Sequence, residues 1–311
     1  MSQSLPKIFV AGHKGLVGSA VVRALVRQNS FDVLSRTKSE LDLRSQPAVN
    51  EFFQAQKPQF VVLAAAKVGG IGANSTYPVE FLLENLQIQN NVISAAANHG
   101  VQKLVFLGSS CIYPKHARYP LTEDQLLTGP FEPTNEAYAL AKVAGIKLCQ
   151  AYAKQYQKNF ISLMPTNMYG PNDYYHLENS HVIPAMILKV LKALSLGENK
   201  VTFWGSGKPL REFLHADDLA DAILLCLEKY NSADLINVGS GIEMSIAEIA
   251  QTVCDACEFK GQILWDQSKP DGIARKVMDS SRIRSLGWEP KRKMQDELKA
   301  IVQEVRAKQL V

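Results

Sequence analysis

Ile8-Phe9-Val10-Ala11-Gly12-His13-Lys14-Gly15-Leu16-Val17-Gly18 reads as a strand, a glycine turn and the start of a helix. Four consecutive apolar residues predict a buried strand, and the amphipathic run from Val17 to Gln28 predicts a helix. Between them the glycines recur as G-x-x-G-x-x-G, one residue wider at the first gap than the usual dinucleotide fingerprint. Glycine suits this place because the turn is tight and a pyrophosphate must approach backbone N–H groups at a helix N-terminus, where the helix dipole favours negative charge. A glycine triplet alone would be an ordinary turn. Its strand-turn-helix setting makes Gly12, Lys14, Gly15 and Gly18 candidate cofactor-binding residues.

Beyond that turn the same alternation continues. Candidate strands at Ile8–Ala11, Phe31–Leu34, Phe60–Ala64, Leu104–Leu107 and Ile161–Met164 alternate with helical patterns near Val17–Gln28, Ala48–Gln56, Val79–His99 and Asn135–Gln155. The strands are almost continuously apolar, as in a parallel sheet covered by helices on both faces. The expected fold is α/β, a doubly wound parallel sheet of the Rossmann type, which binds ligands beyond the C-terminal ends of its strands. After Pro165 the alternation loosens at Pro171-Asn172-Asp173 and around Gly205, Gly207 and Pro209, although Phe213–His215 and Leu235–Val238 read as strands rejoining the main sheet. The expected division is a dinucleotide-binding domain of 1–165 plus about 213–242 and a smaller, discontinuous substrate-binding domain of about 166–212 plus 243–311. The residues after Trp288 are expected to close the chain with a packing helix.

The composition limits the function classes. With 311 residues, 46% of them hydrophobic and 21% charged, the chain can bury one large core and a smaller one. It has no apolar run of about 18 residues. Its first residues lack the apolar stretch and small-residue cleavage site of a signal peptide, so a cytoplasmic protein without membrane attachment is expected. A dispersed net charge of +4 argues against nucleic acid as a partner and suits small anionic ligands. The five cysteines, Cys111, Cys149, Cys226, Cys254 and Cys257, form no disulfide framework. Cys254 and Cys257 make a lone C-x-x-C in a helical stretch without the further ligands zinc needs, so no metal is expected.

A site for NAD would place an Asp or Glu on the ribose hydroxyls at the end of the second strand. Here that strand ends in Ser35-Arg36-Thr37-Lys38. Each of Lys14, Arg36 and Lys38 is open to two readings, a solvated basic turn or a phosphate contact. Together with the missing acid they favour NADP(H).

The fourth strand ends in Gly108-Ser109-Ser110-Cys111-Ile112-Tyr113, and a later helix carries Tyr138-Ala139-Leu140-Ala141-Lys142. Four residues apart, Tyr138 and Lys142 share a helix face. A lysine cation beside the phenol is expected to lower its pKa toward a range useful for proton shuttling. Cys111, two residues beyond Ser109 on an extended chain, is expected to face the same site. A thiolate there can take a proton from the carbon next to a ketone; the alternative is a buried, inert cysteine. His181, within Asn179-Ser180-His181-Val182-Ile183-Pro184, is suited to returning a proton near neutral pH, or else to a structural hydrogen bond.

The glycine turn, the strand ending in Ser-Ser and the Tyr-x-x-x-Lys resemble the extended short-chain dehydrogenase/reductase enzymes that act on nucleotide sugars. That resemblance implies a catalytic set of Ser109, Tyr138 and Lys142, with Tyr138 moving the hydroxyl proton, Ser109 bonded to the reacting oxygen, and Lys142 on the nicotinamide ribose. The strings Gly108-Ser109-Ser110-Cys111-Ile112-Tyr113-Pro114, Met164-Pro165-Thr166-Asn167 and Asn179-Ser180-His181-Val182-Ile183-Pro184, with Glu132-Pro133-Thr134-Asn135-Glu136 and Trp204-Gly205-Ser206-Gly207, are similar to the GDP-L-fucose synthase family. This likeness runs from the glycine turn to about Trp288. It implies a GDP-sugar substrate, GDP-4-keto-6-deoxy-D-mannose, inverted at C3 and C5 and then reduced at C4 with NADPH. In that scheme Cys111 is the base and His181 the acid. Arg211, in Leu210-Arg211-Glu212-Phe213, resembles the superfamily's diphosphate-binding arginine, and its planar fork suits phosphate oxygens. Asn167, Trp204 and Lys269 are the other substrate-binding candidates. Trp204 lies against nucleotide or sugar, or is a core residue; Lys269 is a second phosphate contact or a surface lysine. The family's two-helix association further implies a homodimer through the helices after Val79 and Asn135.

Two rival readings make different demands. An NAD-dependent nucleotide-sugar 4-epimerase or dehydratase would leave Cys111, His181 and the basic turn unexplained. A non-catalytic dinucleotide sensor would be expected to lose the Ser–Tyr–Lys set, which is complete here.

Overall fold

The computed structural model describes residues 5–177, 180–269 and 271–309. Asn179, which belongs to a string quoted above, lies outside the described residues. The first half runs β1 (Lys7–Ala11), α1 (Leu16–Gln28), β2 (Asp32–Leu34), α2 (Gln46–Gln56), β3 (Phe60–Leu63), α3 (Ile71–Thr76), α4 (Pro78–Asn98), β4 (Lys103–Leu107), α5 (Glu136–Tyr156) and β5 (Asn159–Pro165). The second half runs β6 (Asn167–Tyr169), α6 (Val182–Ser195), β7 (Lys200–Trp204), β8 (Leu210–His215), α7 (Ala216–Lys229), β9 (Leu235–Val238), β10 (Glu243–Ser245), α8 (Ile246–Ala256), β11 (Gln262–Asp266), β12 (Arg275–Lys276), α9 (Ser281–Arg284) and α10 (Met294–Ala307).

The main sheet has six strands in the order β2-β1-β3-β4-β5-β9, every neighbouring pair parallel. Side chains alternate along each strand, so successive residues enter different cores. Phe9, Val61, Leu63, Leu104, Phe106 and Phe160 pack on one face beside residues of α2, α4 and α5. Ile8, Val10, Val62, Val105, Ile161 and Leu163 pack on the other beside α1 and α7. Burial on both faces is why these strands read as continuous apolar runs. The chain leaves β1 toward β2 on one side and reaches β3 on the other. This reversal opens a crevice at the C-terminal ends of β1 and β3.

A third core gathers Ile183, Ile187 and Leu191 of α6, Val201 and Phe203 of β7, Ile249 and Val253 of α8, and Leu298, Ile301 and Val305 of α10. The expected closing helix is α10. Leu235–Val238 joins the main sheet as β9, but Phe213–His215 does not. It belongs to β8, which pairs in parallel with β6 and β12 and antiparallel with β10 in a separate small sheet. The apolar Phe213 and Leu214 are served equally well by either location, so the pattern alone could not choose. The fully buried Glu212 settles the strand where it lies, accepting from Gly241 N at 2.6 Å and Met278 N at 3.0 Å.

Candidate active site

Gly12 ends β1 with φ +86°, a left-handed conformation that side chains resist, and a Cβ there would lie 2.7 Å from Ala65 N just past β3. A Cβ on Gly18 would collide with Gly12 O, so this glycine lets α1 press onto the turn. Gly15 differs, because its φ is −80° and an added Cβ would meet only Gly12 O at 3.5 Å. Neither backbone angle nor internal packing requires glycine at 15, and the missing side chain leaves the turn open to close approach by a ligand. Gly15 caps α1 without a side-chain bond, and the first turn carries no acid. The orphan N–H groups and the positive end of the helix therefore face the crevice, which fits a dinucleotide pyrophosphate.

Beyond β2, the half-buried Arg36 donates to Ser35 O at 2.7 Å and stands 5.6 Å from the Phe52 ring centre. Glu40, which the sequence reading passed over, accepts from Thr37 N and Thr37 Oγ1, both at 2.7 Å. Those bonds, then Arg36 and Lys14, hold its carboxyl below the usual range. Lys14 and Arg36 thus act on one point from two different loops. The exposed Lys38 leans instead toward Asp42, whose carboxyl is drawn down chiefly by Arg44.

At the end of β4 the backbone stays extended through Ser109, then Ser110–Ile112 coil into a single 3-10 turn capped by Ser109, whose Oγ accepts from Cys111 N at 3.4 Å. Cys111 is therefore folded back over Ser109, which corrects the expected extended chain. The turn brings the two residues together more closely than alternation along a strand would. Burial pushes the Cys111 thiol pKa up, opposed by Lys276, Ser109 and Lys142.

Tyr138 and Lys142 share the inner face of α5, with Lys142 Nζ 5.6 Å from the Tyr138 ring centre and 5.0 Å from that of Phe106. The ammonium is buried and donates to Leu107 O at 2.9 Å, at the end of β4. Desolvation draws its pKa down to about 8. The Tyr138 phenol moves the opposite way from expectation: burial, then the neighbouring Cys111, push it up. A lysine that is itself desolvated does not offset the cost of an anion in the same dry pocket.

His181 is the N-cap of α6 with no hydrogen bond from its side chain to the helix, keeps surface access, and has its imidazole pKa drawn down by the surrounding protein and then by Lys276. Arg211 donates to its own neighbour Leu210 O at 2.8 Å and lies near Tyr119 and Asp271, with no ion pair among the described residues. Trp204 is 53% exposed, so it is not a core residue. Lys189 Nζ stands 5.0 Å and Lys269 Nζ 5.6 Å from its ring centre, making an aromatic platform flanked by two cations. Asn167 has committed its amide to Glu212 O at 2.9 Å, bracing β6 against β8. Lys189 and Lys276 were not anticipated. Lys189 lies on α6 eight residues after His181, a helical spacing that was available as a signal. Lys276 reaches the site only through the pairing of β12 with β8.

The NAD dependent epimerase/dehydratase family model matches residues 8–239. The chain belongs to that family. Among proteins of the NAD dependent epimerase/dehydratase family, it is 57% identical over 298 residues to the Arabidopsis thaliana "Putative GDP-L-fucose synthase 2", covering 96% of this chain and 91% of that one. It is 48% identical over 294 residues to the GDP-L-fucose synthase of Escherichia coli K12, covering 92% of each. The crystal structure of a GDP-L-fucose synthetase from Naegleria fowleri bound to NADP superposes with a TM-score of 0.91 at 30% identity, covering 99% of this chain and 96% of that one.

Proposed function

We propose that this chain converts GDP-4-keto-6-deoxy-D-mannose to GDP-L-fucose, inverting C3 and C5 and then reducing the C4 ketone, with NADP(H) as cofactor. The observation that carries this reading is the single turn on which Cys111 is folded over Ser109, opposite Tyr138. A reductase needs the Ser109–Tyr138–Lys142 set alone; an epimerase working on the same ketone needs a base beside it. The similarity to GDP-L-fucose synthases over nearly the whole chain supports the same assignment.

The ketone acidifies the C–H bonds on both neighbouring carbons. Cys111 thiolate takes such a proton, the electron pair moves into the enolate, and the Ser109 and Tyr138 hydroxyls donate to the oxygen where charge gathers. His181 returns a proton from the opposite face, and inversion results. The raised pKa of Tyr138 suits it as a donor, since it keeps its proton at neutral pH until the oxygen takes it. NADPH, when bound, supplies the hydride to C4. Reduction comes last because it removes the ketone that made the neighbouring protons acidic. Arg211 and Lys269 hold the diphosphate and Trp204 lies against the nucleotide or sugar.

Residues 1–165 with about 216–242 serve the cofactor, and about 166–215 with 243–311 serve the substrate, the expected boundary at 213 moving because β8 lies in the small sheet. We infer a homodimer through α4 and α5, which expose Val79, Leu83 and Leu140; light scattering of the purified protein tests it. The cysteines are all free, as in a reducing compartment, and no described helix is long and apolar enough to cross a membrane; both features support a cytoplasmic location. The deciding experiment is incubation with GDP-4-keto-6-deoxy-D-mannose and NADPH followed by NMR of the sugar. A C4-reduced product with uninverted C3 and C5 would leave a simple reductase, and no reaction would overturn the assignment.

A further inference from the structure

Lys276 is a half-buried cation whose ammonium has no hydrogen bond or ion pair among the described residues. Removing a charge from water without a partner is costly, so its retention calls for an explanation. The backbone around it is held on several sides. Lys276 pairs in register with Arg211 on β8. Leu121 N donates to Val277 O at 2.8 Å and Asp279 N to Leu121 O at 2.8 Å, forming a parallel bridge between Leu121 and Met278. Met278 N donates to Glu212 at 3.0 Å. Glu212 is the carboxylate that acts on Lys276, but its two oxygens are committed to backbone N–H groups of Gly241 and Met278.

Side chains alternate along such an extended segment, so Lys276 and Met278 project to the same side. Met278 packs in the apolar cluster that contains Cys111, Ile112, Tyr113 and Leu121. Lys276 therefore lies on the Met278 side of its strand, and its charge and the Cys111 thiol act on one another. The charge opposes the effect of burial on the thiol and adds to the effect of burial on His181. The charged and titratable groups around it are Cys111, His181, Arg211 and Glu212; those around Cys111 are Lys276, Lys142 and Tyr138, with the neutral Ser109 hydroxyl beside them.

We propose that Lys276 is a positioning residue for proton abstraction, its ammonium serving as the counter-charge of the Cys111 thiolate. This rests on the reading of Cys111 as the base. Lys276 acts through the sulfur rather than on the reacting carbon: the thiolate takes the proton and becomes a thiol, while Lys276 keeps its protons, since burial draws its pKa down but the neighbouring Cys111 opposes that effect. An oppositely charged neighbour within several ångströms commonly moves a titration by about one to three pH units.

The test is the ultraviolet thiolate absorbance of the whole protein against pH, with the Cys111→Ser protein subtracted to isolate this one cysteine. In Lys276→Met the Cys111 titration should move up by about one to two pH units, and Lys276→Arg should return most of the shift. Solvent deuterium exchange into GDP-4-keto-6-deoxy-D-mannose should fall at least about tenfold at neutral pH in Lys276→Met. The deficit should close as pH rises, because a weaker thiol acid still ionises in alkali. Normal NADPH binding by fluorescence confirms that each variant is folded; Lys276→Gln replaces Lys276→Met if it is not. An unmoved titration overturns the proposal. A raised KM with unchanged exchange at saturation overturns it too, and marks Lys276 as a diphosphate contact. The titration needs no substrate, so failure of the wild-type protein to exchange deuterium would strike the proposed reaction instead of this inference.

Discussion

Replacing Tyr113 with Phe removes a single oxygen from a buried brace behind the Ser110–Ile112 turn. Tyr113 directly follows the Ser110–Ile112 turn, is 4% exposed, and donates from Oη to Asn237 Oδ1 at 2.6 Å. Asn237, on β9, is fully buried; its Nδ2 donates to Leu121 O at 3.0 Å and its N to Glu123 Oε1 at 2.9 Å. The amide cannot flip to find a substitute partner without losing the Leu121 bond, so the variant strands a buried carbonyl oxygen. Leaving such an acceptor unsatisfied costs about 1–3 kcal/mol, while the ring still fills its place and adds no cavity term. Urea unfolding should show that loss with an unchanged slope. Because Leu121 is also bridged to Met278, the brace ties the Cys111 turn to the strand that carries Lys276. Deuterium exchange should therefore fall several-fold while NADPH affinity stays within about twofold, as expected when geometry rather than binding is disturbed. A stability loss below about 0.5 kcal/mol together with normal exchange would refute the reasoning and show that the brace holds nothing in place.

Gly15→Ala should fold with stability within about 1 kcal/mol of the parent yet bind NADPH several-fold more weakly, because its methyl meets only Gly12 O inside the protein. Gly18→Ala should instead lose about 2 kcal/mol or more in urea unfolding, since its methyl collides with the turn. Tyr138→Phe should bind cofactor and substrate but slow single-turnover reduction by about 10²–10⁴, and a change below severalfold would remove Tyr138 as the proton donor. Asp173 has an unpartnered buried Oδ2 and a carboxyl pushed up to about 7 by burial. Its folded form holds a proton that the unfolded chain releases near pH 4, so its contribution to stability is present at low pH and lost as pH rises through about 7. Asp173→Asn should therefore gain stability over wild type at pH 8 but not at pH 4, as read by urea unfolding at both.

The parallel sheet was legible because each strand from β1 to β5 sits between both cores and each flanking helix has its own amphipathic period. Boundaries shifted by only a residue or two, as when Ile161–Met164 lengthened to Asn159–Pro165. What escaped notice was set by non-local pairing. Phe213–His215 looks the same in either sheet, and only Glu212, bonded to Gly241 and Met278, fixes its place. Lys276 has nothing in its neighbourhood to mark it, since its proximity to Cys111 depends on a partner strand 65 residues earlier by the Lys276–Arg211 register. The coil at Ser110–Ile112 replaces an extended chain that period-2 reasoning assumed. The Tyr138–Lys142 spacing was read correctly, but spacing carries no information about desolvation, which reversed the expected direction for the phenol.

That reversal has a consequence for how one pocket can serve both proposed steps. Burial raises the pKa of Tyr138 and of Cys111 alike, yet the proposed steps set the two residues opposite tasks. Tyr138 must arrive protonated to donate, so burial helps it, and a lysine whose own pKa is only about 8 is a suitably weak neighbour. Cys111 must arrive ionised to act as a base, so burial opposes it and a further cation is required. The fold supplies its cations from two elements: Lys142 of α5 lies near the phenol ring and also favours the thiolate, while Lys276 of β12 acts on the thiol and not on the phenol. Acid and base separate in one dry site because their neighbours differ, not because their solvent exposure does.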